Sequence, residues 1–248
     1  MQRTTRIMEI LTTYKTVTND QLCKSLFCSI SSLRRDLIKL EKDGCIKRTR
    51  GGATLLLSTG SDFSSHVREN TMVAEKEYIA SIAKDFLASG MSLFLDASST
   101  TMRLCPILNK LHNITVVTNG IATATQLNNC DQINTYITGG HLRKGNASLL
   151  GETASEYIGG FKADIAFLSC RGVCADGTFE ADIEHCLIKQ HMIRNANKTI
   201  LLADSSKFGQ SFFHRLCNFK NLEAIITDRA PASEIEQAIT ESGSEIIY

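Results

Sequence analysis

Six short apolar runs, each followed by polar or glycine-rich residues, constrain the fold of this chain more than any other feature. The runs are SLFLD (92–96), ITVVT (114–118), INTYI (133–137), DIAFL (164–168), TILLA (199–203) and AIIT (224–227). Helical patterns occur near 73–87, 101–108, 120–127, 181–197 and 232–242. Apolar strands that alternate with helices are typical of a mostly parallel sheet covered on both faces. The sequence therefore predicts an α/β domain over residues 72–248.

Composition indicates a cytoplasmic protein with a sizeable core. The chain has 248 residues, of which 43% are hydrophobic, but no apolar run is long enough to span a bilayer and no secretory signal is evident at the N-terminus. Nine cysteines without framework spacing are expected to be reduced and mostly buried. Cys170 and Cys174 lack a second pair at zinc-site spacing, so we predict neither a metal nor a cofactor.

Charge is distributed unevenly along the chain. Residues 1–60 contain 11 Lys/Arg and 5 Asp/Glu, whereas the remaining residues contain 16 and 21. A small basic module joined to a larger acidic one suggests that only the first part meets a polyanion. We assign residues 1–57 to that module and residues 58–71 to a polar linker.

The basic module has the pattern of a winged helix-turn-helix. Residues 3–14 show helical spacing, and Thr18 with Gln21 forms a capping-box signature for a second helix. Ser29 can cap a third helix, for which a single buried stripe is predicted at Ile30, Leu33, Leu37 and Leu40. Two short strands around Gly51-Gly52 then predict a basic hairpin, the wing.

This layout predicts binding to double-stranded DNA. The third helix is of a size to enter the major groove, and the wing can lie along phosphates or enter the minor groove. The alternative is a small helical cap with a solvated basic face. The predicted DNA-binding residues are Thr18, Ser29, Ser31, Ser32, Arg34, Arg35, Lys39, Lys47, Arg48, Arg50 and Gly51.

These residues also carry a resemblance to the DeoR family of bacterial transcriptional regulators. The family signature runs roughly V-S-x-x-T-I-R-R-D-L-x-x-L-E-x-x-G-x-L-x-R-x-x-G-G-A. The matching residues here are Cys28-Ser29, Leu33-Arg34-Arg35-Asp36-Leu37, Leu40-Glu41, Gly44, Ile46, Arg48 and Gly51-Gly52-Ala53. Ser32 and Leu33 replace the usual threonine and isoleucine, and the resemblance extends over most of the chain.

Polar residues cluster where the predicted strands end, which in parallel sheets is where ligands bind. DASSTT (96–101), Thr118-Asn119, Gly139-Gly140 and DSSKFG (204–209) follow four different strands. The same stretches resemble the DeoR C-terminal motifs D-x-G-S/T-T, T-N, G-G-x-x-R and D-x-S-K-F-G.

The resemblance implies a fold similar to ribose-5-phosphate isomerase and a phosphorylated sugar as effector. Ser99, Thr100 and Thr101 would face the phosphate, and Asp96, Asn119, Asp204 and Lys207 would lie nearer the sugar or the pocket wall. The complete implied set is Asp96, Ser98, Ser99, Thr100, Thr101, Thr118, Asn119, Gly139, Gly140, Arg143, Glu184, Asp204 and Lys207. Ser98 departs from a frequent family glycine and could crowd the phosphate, and residues 167–173 also depart from the family pattern.

We therefore expect a sequence-specific transcriptional regulator, a repressor of carbohydrate-metabolism genes, that is not an enzyme. Reading two half-sites would require a homo-oligomer, either a dimer or a tetramer. Two alternatives remain open. One is an isomerase-like enzyme with an accessory DNA-binding module, in which Asp96, Glu184, Asp204 and Lys207 would supply acid–base groups. The other is a regulator whose effector pocket is no longer functional.

Overall fold

A computed structural model of the chain describes residues 3–42, 45–55, 68–143 and 147–248. The chain divides into two compact units between Val73 and Ala74, here called the N-terminal unit and the C-terminal unit. Most of the expected linker, 58–71, lies outside the described residues, as does Gly44. The domain bounds given above therefore stay a prediction. Within the described ranges, no helix is long and apolar enough to cross a membrane.

The N-terminal unit contains three helices and a small antiparallel sheet. Its elements are α1 (Arg3–Tyr14), β1 (Thr16–Thr18), α2 (Asn19–Leu26), α3 (Ile30–Lys42), β2 (Ile46–Thr49) and β3 (Gly52–Leu55). The strand order is β1-β3-β2, so β3 is central and the β2–β3 hairpin forms the wing. Sequence analysis predicted the helices and the wing but missed β1.

A single apolar core holds the N-terminal unit together. It includes Ile7 and Leu11 from α1, Leu22 from α2 and the α3 stripe of Leu33, Leu37 and Leu40. The predicted stripe was wrong at its first position, because Ile30 is 42% exposed. Ile30 is the first residue of α3, and the buried side of the helix begins one turn later.

Local capping explains where α2 begins and ends. Thr18 and Gln21 form the predicted capping box, in which the Gln21 N–H donates to Thr18 Oγ1 and the Thr18 N–H donates to Gln21 Oε1. The helix stops at Phe27, which has a left-handed φ of +48° and a 96% exposed side chain.

Gly52 allows β1 to join the wing. A Cβ atom at this position would lie 2.1 Å from the Val17 carbonyl oxygen, so any other residue would separate β1 from β3. The two-residue turn of the hairpin is Arg50-Gly51, and Gly52 already pairs with Thr49. The predicted turn at Gly51-Gly52 is therefore shifted by one residue.

The C-terminal unit is built on a seven-stranded, entirely parallel sheet in the order β15-β14-β12-β9-β4-β5-β6. Its strands are β4 (Ser92–Leu95), β5 (Ile114–Thr118), β6 (Ile133–Ile137), β9 (Ala163–Leu168), β12 (Ala196–Leu202), β14 (Ala224–Ile226) and β15 (Glu245–Ile247). Smaller antiparallel pairings involve β7 (His141–Leu142) with β8 (Leu149–Leu150), and β11 (Gly177–Glu180) with β10 (Gly172–Cys174) and β13 (His214–Cys217).

Helices cover both faces of the sheet, as predicted. They are α4 (Val73–Ala83), α5 (Cys105–Leu108), α6 (Ile121–Leu127), α7 (Glu152–Gly159), α8 (Ile183–Arg194) and α9 (Ser233–Glu241), with short 3-10 turns at Lys84–Phe86, Thr101–Leu104, Ser205–Lys207 and Phe219–Asn221. One core packs α4, α5 and α6 against Leu93 and Leu95, and the other packs α7, α8 and α9 against Phe94. Alternate residues of one strand thus point to opposite cores.

The predicted α/β fold class is confirmed, as are the six strands that define it. Sequence analysis missed α7, β15 and the short strands β7, β8, β10, β11 and β13. These strands contain only two to four residues each, too few for a periodic pattern to be visible. The helix predicted over 73–87 ends earlier, because Ala83 passes into a 3-10 turn.

Candidate functional site

The exposed face of α3 carries the predicted recognition residues. Ser31, Arg34, Arg35 and Lys39 are exposed on the side opposite the buried leucines. At the start of the helix, Ser29 Oγ accepts the Ser32 backbone N–H at 3.4 Å. This arrangement leaves flexible cations and small hydroxyls facing solvent, which is the surface that a helix needs to contact phosphates and base edges.

The wing adds a second basic surface. Lys47, Arg48 and Arg50 are all exposed. Arg48, however, has a partner: its Nε donates to Glu41 Oε2 at 2.7 Å, and its backbone N–H donates to Glu41 Oε1 at 2.9 Å. The hydrogen bonds from Arg48 lower the pKa of Glu41 below its ordinary value. Glu41 therefore ties the wing to the end of α3.

Thr18 and Gly51, two further predicted contact residues, have structural partners. Thr18 is exposed but its side chain caps α2. The Gly51 carbonyl oxygen accepts the Asn19 N–H at 2.8 Å, which connects the turn of the wing to the first residue of α2. Both residues lie at the surface, and both also fix the position of α2.

The C-terminal unit has its topological switch point between β4 and β9. The chain proceeds from β4 through β5 and β6 in one direction, and then from β9 through β12, β14 and β15 in the other. Asp96 follows β4 and Ser169 follows β9, and the Ser169 N–H donates to Asp96 Oδ2 at 3.1 Å. Crevices at such points are the usual ligand sites of open parallel sheets.

Asp96 lies at the centre of a buried ionic network. Its side chain is fully buried, and Lys189 Nζ from α8 lies 2.9 Å from Oδ2 and 2.6 Å from Glu180 Oε1. Burial alone would raise the pKa of Asp96, but the Lys189 ammonium and hydrogen bonds from Ser98 and Thr101 outweigh it and leave the pKa lowered. Burial alone would lower the pKa of Lys189, but the charges of Asp96 and Glu180 outweigh burial and leave that pKa raised. The lowered pKa of Asp96 and the raised pKa of Lys189 keep both groups charged at neutral pH.

The hydroxyl loop, Asp96–Thr101, is shaped by this network. Asp96 Oδ1 accepts the Ser98 N–H at 3.1 Å and the Thr101 hydroxyl at 2.8 Å. Ser98 Oγ accepts the Thr101 N–H at 3.1 Å, so this side chain is turned into the loop. The replacement of the family glycine by Ser98 thus supplies an internal cap.

Lys76 brings a buried cation to the hydroxyl loop. Its Nζ donates to Ser99 Oγ at 3.0 Å, and the residue is only 4% exposed. Asp204, at the end of β12, is also buried, and burial raises its pKa. The charges of Lys207 and Lys76, followed by hydrogen bonds from Ser206, lower it further than burial raises it. Lys76, in α4, and the half-buried Lys207, in the 3-10 turn after β12, therefore both act on the Asp204 carboxylate.

Several buried oxygens near the ends of β5, β6 and β9 have no hydrogen-bond partner among the described residues. They are Asn119 Oδ1, Thr138 Oγ1, Ser148 Oγ and Ser169 Oγ. Asn119 is held in place by Leu149, whose carbonyl accepts the Asn119 side-chain amide at 3.1 Å. Ser148 bridges to Gly120, next to Asn119. Thr118 Oγ1 accepts the Gly120 N–H at 3.0 Å.

A short flap, β7–β8, covers the start of α8. Arg143 Nη1 lies 2.6 Å from Asp182 Oδ2 and 3.7 Å from Glu184 Oε2, which also approaches His141 Nε2 at 3.4 Å. Gly140 has a φ of +111°, and a Cβ there would lie 2.3 Å from the Leu150 carbonyl oxygen. Gly140 thus permits close packing of the flap, and both Gly139 and Gly140 are exposed to solvent.

Comparison with known proteins identifies both units. Residues 3–59 match the DeoR-like helix-turn-helix domain, and residues 71–229 match the DeoR C terminal sensor domain. The chain belongs to the DeoR family. It is 32% identical over 246 residues to the HTH-type transcriptional repressor GlcR of Bacillus subtilis (strain 168), covering 99% of this chain and 95% of that protein. It is 29% identical to the glycerol-3-phosphate regulon repressor of Escherichia coli (strain K12), covering 97% and 95%.

Among solved structures, this DeoR-family chain is similar to ribose 5-phosphate isomerase A of Methanocaldococcus jannaschii, with a TM-score of 0.41 and 16% identity over 55% of each chain. It is also similar to eIF2B delta of Chaetomium thermophilum, with a TM-score of 0.49 and 12% identity over 64% of this chain and 57% of the other.

The structure adds three residues to the site of this DeoR-family protein that sequence analysis missed: Lys76, Glu180 and Lys189. Each lies inside a helix or strand, far along the chain from the loop that it supports. A charged residue within an otherwise apolar helical face, as at Lys189 between Ile188 and Met192, was the available signal. Among the described residues, no group of three or more His, Cys, Asp or Glu is arranged to hold a metal ion.

Proposed function

We propose that this DeoR-family protein is a DNA-binding transcriptional repressor whose affinity for its operator is set by a phosphorylated sugar bound at the hydroxyl loop. The observation that carries the DNA-binding part is the exposed basic face of α3 in a unit that matches the DeoR-like helix-turn-helix. Relatives that share almost the whole chain are named as repressors of transcription.

The phosphate is expected beside Ser99 and Lys76. A bound anion would pair with the buried Lys76 ammonium. Such pairing offsets the large desolvation cost that an unpaired buried charge carries. Ser99 and Thr100 supply hydroxyls at the same loop. Lys207 follows β12, two strands away from β4 in the sheet, and supplies a second cation. The Asp96 side chain faces inward and positions the loop, so of the sugar and the pocket wall we propose the wall as its place.

The sugar is expected to lie toward Asn119 and Ser148. Unpartnered buried oxygens cost free energy, so native proteins usually pair them with water or with a ligand. Hydroxyl groups can donate to Asn119 Oδ1 and both donate to and accept from Thr138 and Ser148. A phosphorylated polyol or sugar fits this combination of one cationic end and one hydroxyl-binding end.

Binding without turnover fits the side chains better than isomerase chemistry. Acid–base catalysis requires a carboxylate that can exchange a proton with the substrate. Asp96 is enclosed by Lys189, Ser98, Thr101 and Ser169, while Glu184 is engaged by Arg143 and His141. Turnover of a sugar phosphate by the purified protein would contradict this part of the proposal.

A homo-oligomer is part of the same proposal. Two recognition helices on a two-fold axis would read half-sites about one helical turn, or a multiple of it, apart. The edge strand β6 exposes Tyr136 and Ile137, which are suitable side chains for contact with another subunit. An effector can then act only by binding differently to two arrangements of the subunits or domains.

A thermal-shift experiment on the full-length protein tests the effector. A panel of sugar phosphates, the corresponding free sugars and inorganic phosphate should contain a sugar phosphate that raises the melting temperature, because a ligand that binds only the folded state stabilises it. Lys207→Ala should reduce that shift, whereas Lys198→Ala, at an exposed ion pair with Glu223, should retain it. A panel without any shift would instead favour the alternative in which the pocket has lost its effector.

A further inference from the structure

Two cysteines flank the turn of the helix-turn-helix. All nine cysteines of the chain are free thiols, and five are buried. Cys23, in the last turns of α2, and Cys28, directly before Ser29, are both half-buried. We call them the thiol pair. The other half-buried cysteines, Cys130 and Cys174, belong to the C-terminal unit and are distant from each other in sequence.

The backbone holds the thiol pair together. The N–H groups of Phe27 and Cys28 both donate to the Cys23 carbonyl oxygen, the latter at 3.2 Å. With Phe27 in the left-handed conformation, the bond from Cys28 to Cys23 is the six-to-one bond of a Schellman motif. The side chains at the two ends of this motif characteristically touch. A disulfide requires two Cα atoms roughly 4.4–6.8 Å apart, so it needs residues that the backbone brings together in this way.

The two thiols interact with each other and with one cation. After burial, the charge and the hydrogen bond of Cys28 are the next causes that raise the pKa of Cys23. Arg3, whose pKa is raised chiefly by its hydrogen bond with Asp36, also interacts electrostatically with Cys28. The thiolate form of a cysteine is the nucleophile in disulfide exchange.

We propose that Cys23 and Cys28 form a reversible intrachain disulfide that lowers the affinity of the protein for operator DNA. The oxidant is a low-molecular-weight disulfide. The Cys28 thiolate attacks one of its sulfurs, breaks the S–S bond and releases one small thiolate. Cys23 then loses its proton to solvent and displaces the second small thiol. Two protein thiols are oxidised, and one small disulfide is reduced to two thiols.

Formation of this bond would move the start of α3. A disulfide bond is about 2.0 Å long, shorter than any non-bonded contact between two sulfurs. Cys28 immediately precedes Ser29, whose side chain organises the first turn of α3. Leu33 and Leu37 hold the remainder of that helix in the core, so the first turn must shift relative to the rest. Ser31 and Ser32, two of the predicted DNA-contacting residues, lie on the part of α3 that shifts.

The experiment compares reduced full-length protein with protein treated with oxidised glutathione. The DNA is a duplex selected from a random-sequence pool by the reduced protein. We expect peptide mapping to show a Cys23–Cys28 bond, and affinity to fall roughly tenfold, as when one base contact is lost. Dithiothreitol should restore binding. Cys23→Ser and Cys28→Ser should each abolish the response, and the double variant Cys130→Ser/Cys174→Ser should keep it.

Three results would overturn the inference: no bond between Cys23 and Cys28, a bond between them without loss of affinity, or a loss of affinity that persists in both single serine variants. The DNA readout rests on the proposed function, but the mapping does not. Failure of the reduced protein to select any sequence would contradict DNA binding itself, whereas failure to form the bond would contradict only the thiol pair.

Discussion

The two units place their ion pairs in opposite environments. In the N-terminal unit, the pairs Arg3–Asp36 and Arg48–Glu41 lie at the surface, and both guanidinium side chains are 40% exposed. In the C-terminal unit, Lys189 and its two carboxylates are almost completely removed from solvent. The first arrangement keeps both partners of each pair in contact with solvent, and the second fixes the shape of a loop.

This difference indicates what each set of charges contributes. Exposed ion pairs add about 0–1 kcal/mol to stability, because solvent screens them and their side chains lose entropy. A buried pair is costly to break, because the remaining charge has no compensation. Charges of the N-terminal unit should therefore govern DNA affinity, whereas those of the Asp96 network should govern folding and the geometry of the sensor site.

Removal of Lys189 should have the largest effect on stability. Lys189→Met leaves Asp96 and Glu180 buried together without a cation, and we expect the free energy of unfolding to fall by about 3–5 kcal/mol. Urea unfolding followed by circular dichroism measures the change. Lys198→Met removes an exposed pair with Glu223 and should cost no more than about 1 kcal/mol. Equal losses in both variants would remove the distinction between the two environments.

Acid should destabilise the C-terminal unit through Asp96 and Asp204. Both pKa values are lowered in the folded protein, so the resulting stability is present above the ordinary aspartate pKa of about 4 and disappears as pH falls through the lowered values. The urea midpoint should therefore decline below about pH 4. In Lys189→Met the decline should be smaller, because the ammonium that lowers the pKa of Asp96 is gone and burial then favours the protonated carboxyl in the folded protein. An unchanged profile in that variant would contradict the assignment.

Substitution on α3 should weaken DNA binding without a comparable effect on folding. Arg34→Ala or Arg35→Ala should cost about 1–3 kcal/mol of affinity for a selected duplex if that side chain reads a base. Lys110→Ala, which removes an exposed cation from the C-terminal unit, is the control and should bind normally. Wild-type affinity in both arginine variants would exclude α3 as the recognition helix.

The smallest effect should distinguish Arg48 from its neighbour on the wing. Lys47→Ala should reduce the slope of log affinity against log salt by about one, as expected for one lost phosphate contact. Arg48→Ala should lower this slope less, because Glu41 already engages the guanidinium. Equal reductions would instead assign Arg48 to a phosphate. The reciprocal exchange Glu41→Arg/Arg48→Glu should restore affinity lost in either single variant.

The sequence predicted the N-terminal unit in more detail than the C-terminal site, for a physical reason. Leu33, Leu37 and Leu40 repeat at helical spacing within one segment, so the exposed face of α3 follows from local periodicity. Asp96 and Lys189 are 93 positions apart, and only the order of the strands brings them together. The polar strand ends were visible in the sequence, but the direction in which each side chain points was not.

The same limit applies to individual residues. Ser98 looked like an obstacle to a phosphate, yet its hydroxyl accepts the Thr101 N–H inside the loop. Thr118, predicted to contact the ligand, also accepts the Gly120 N–H. Small hydroxyl residues near a turn can satisfy the backbone or face a ligand, and residue type alone does not decide between these outcomes.

The attachment of β1 to β3 has a mechanical consequence. Thr18 pairs with Gly52, and the Asn19 N–H donates to the Gly51 carbonyl at 2.8 Å. These contacts connect the turn of the hairpin to the N-terminus of α2. The hairpin cannot hinge by itself when it presses on a DNA backbone. The hairpin and α2 must move together, so these two elements would meet the DNA phosphates as one rigid body.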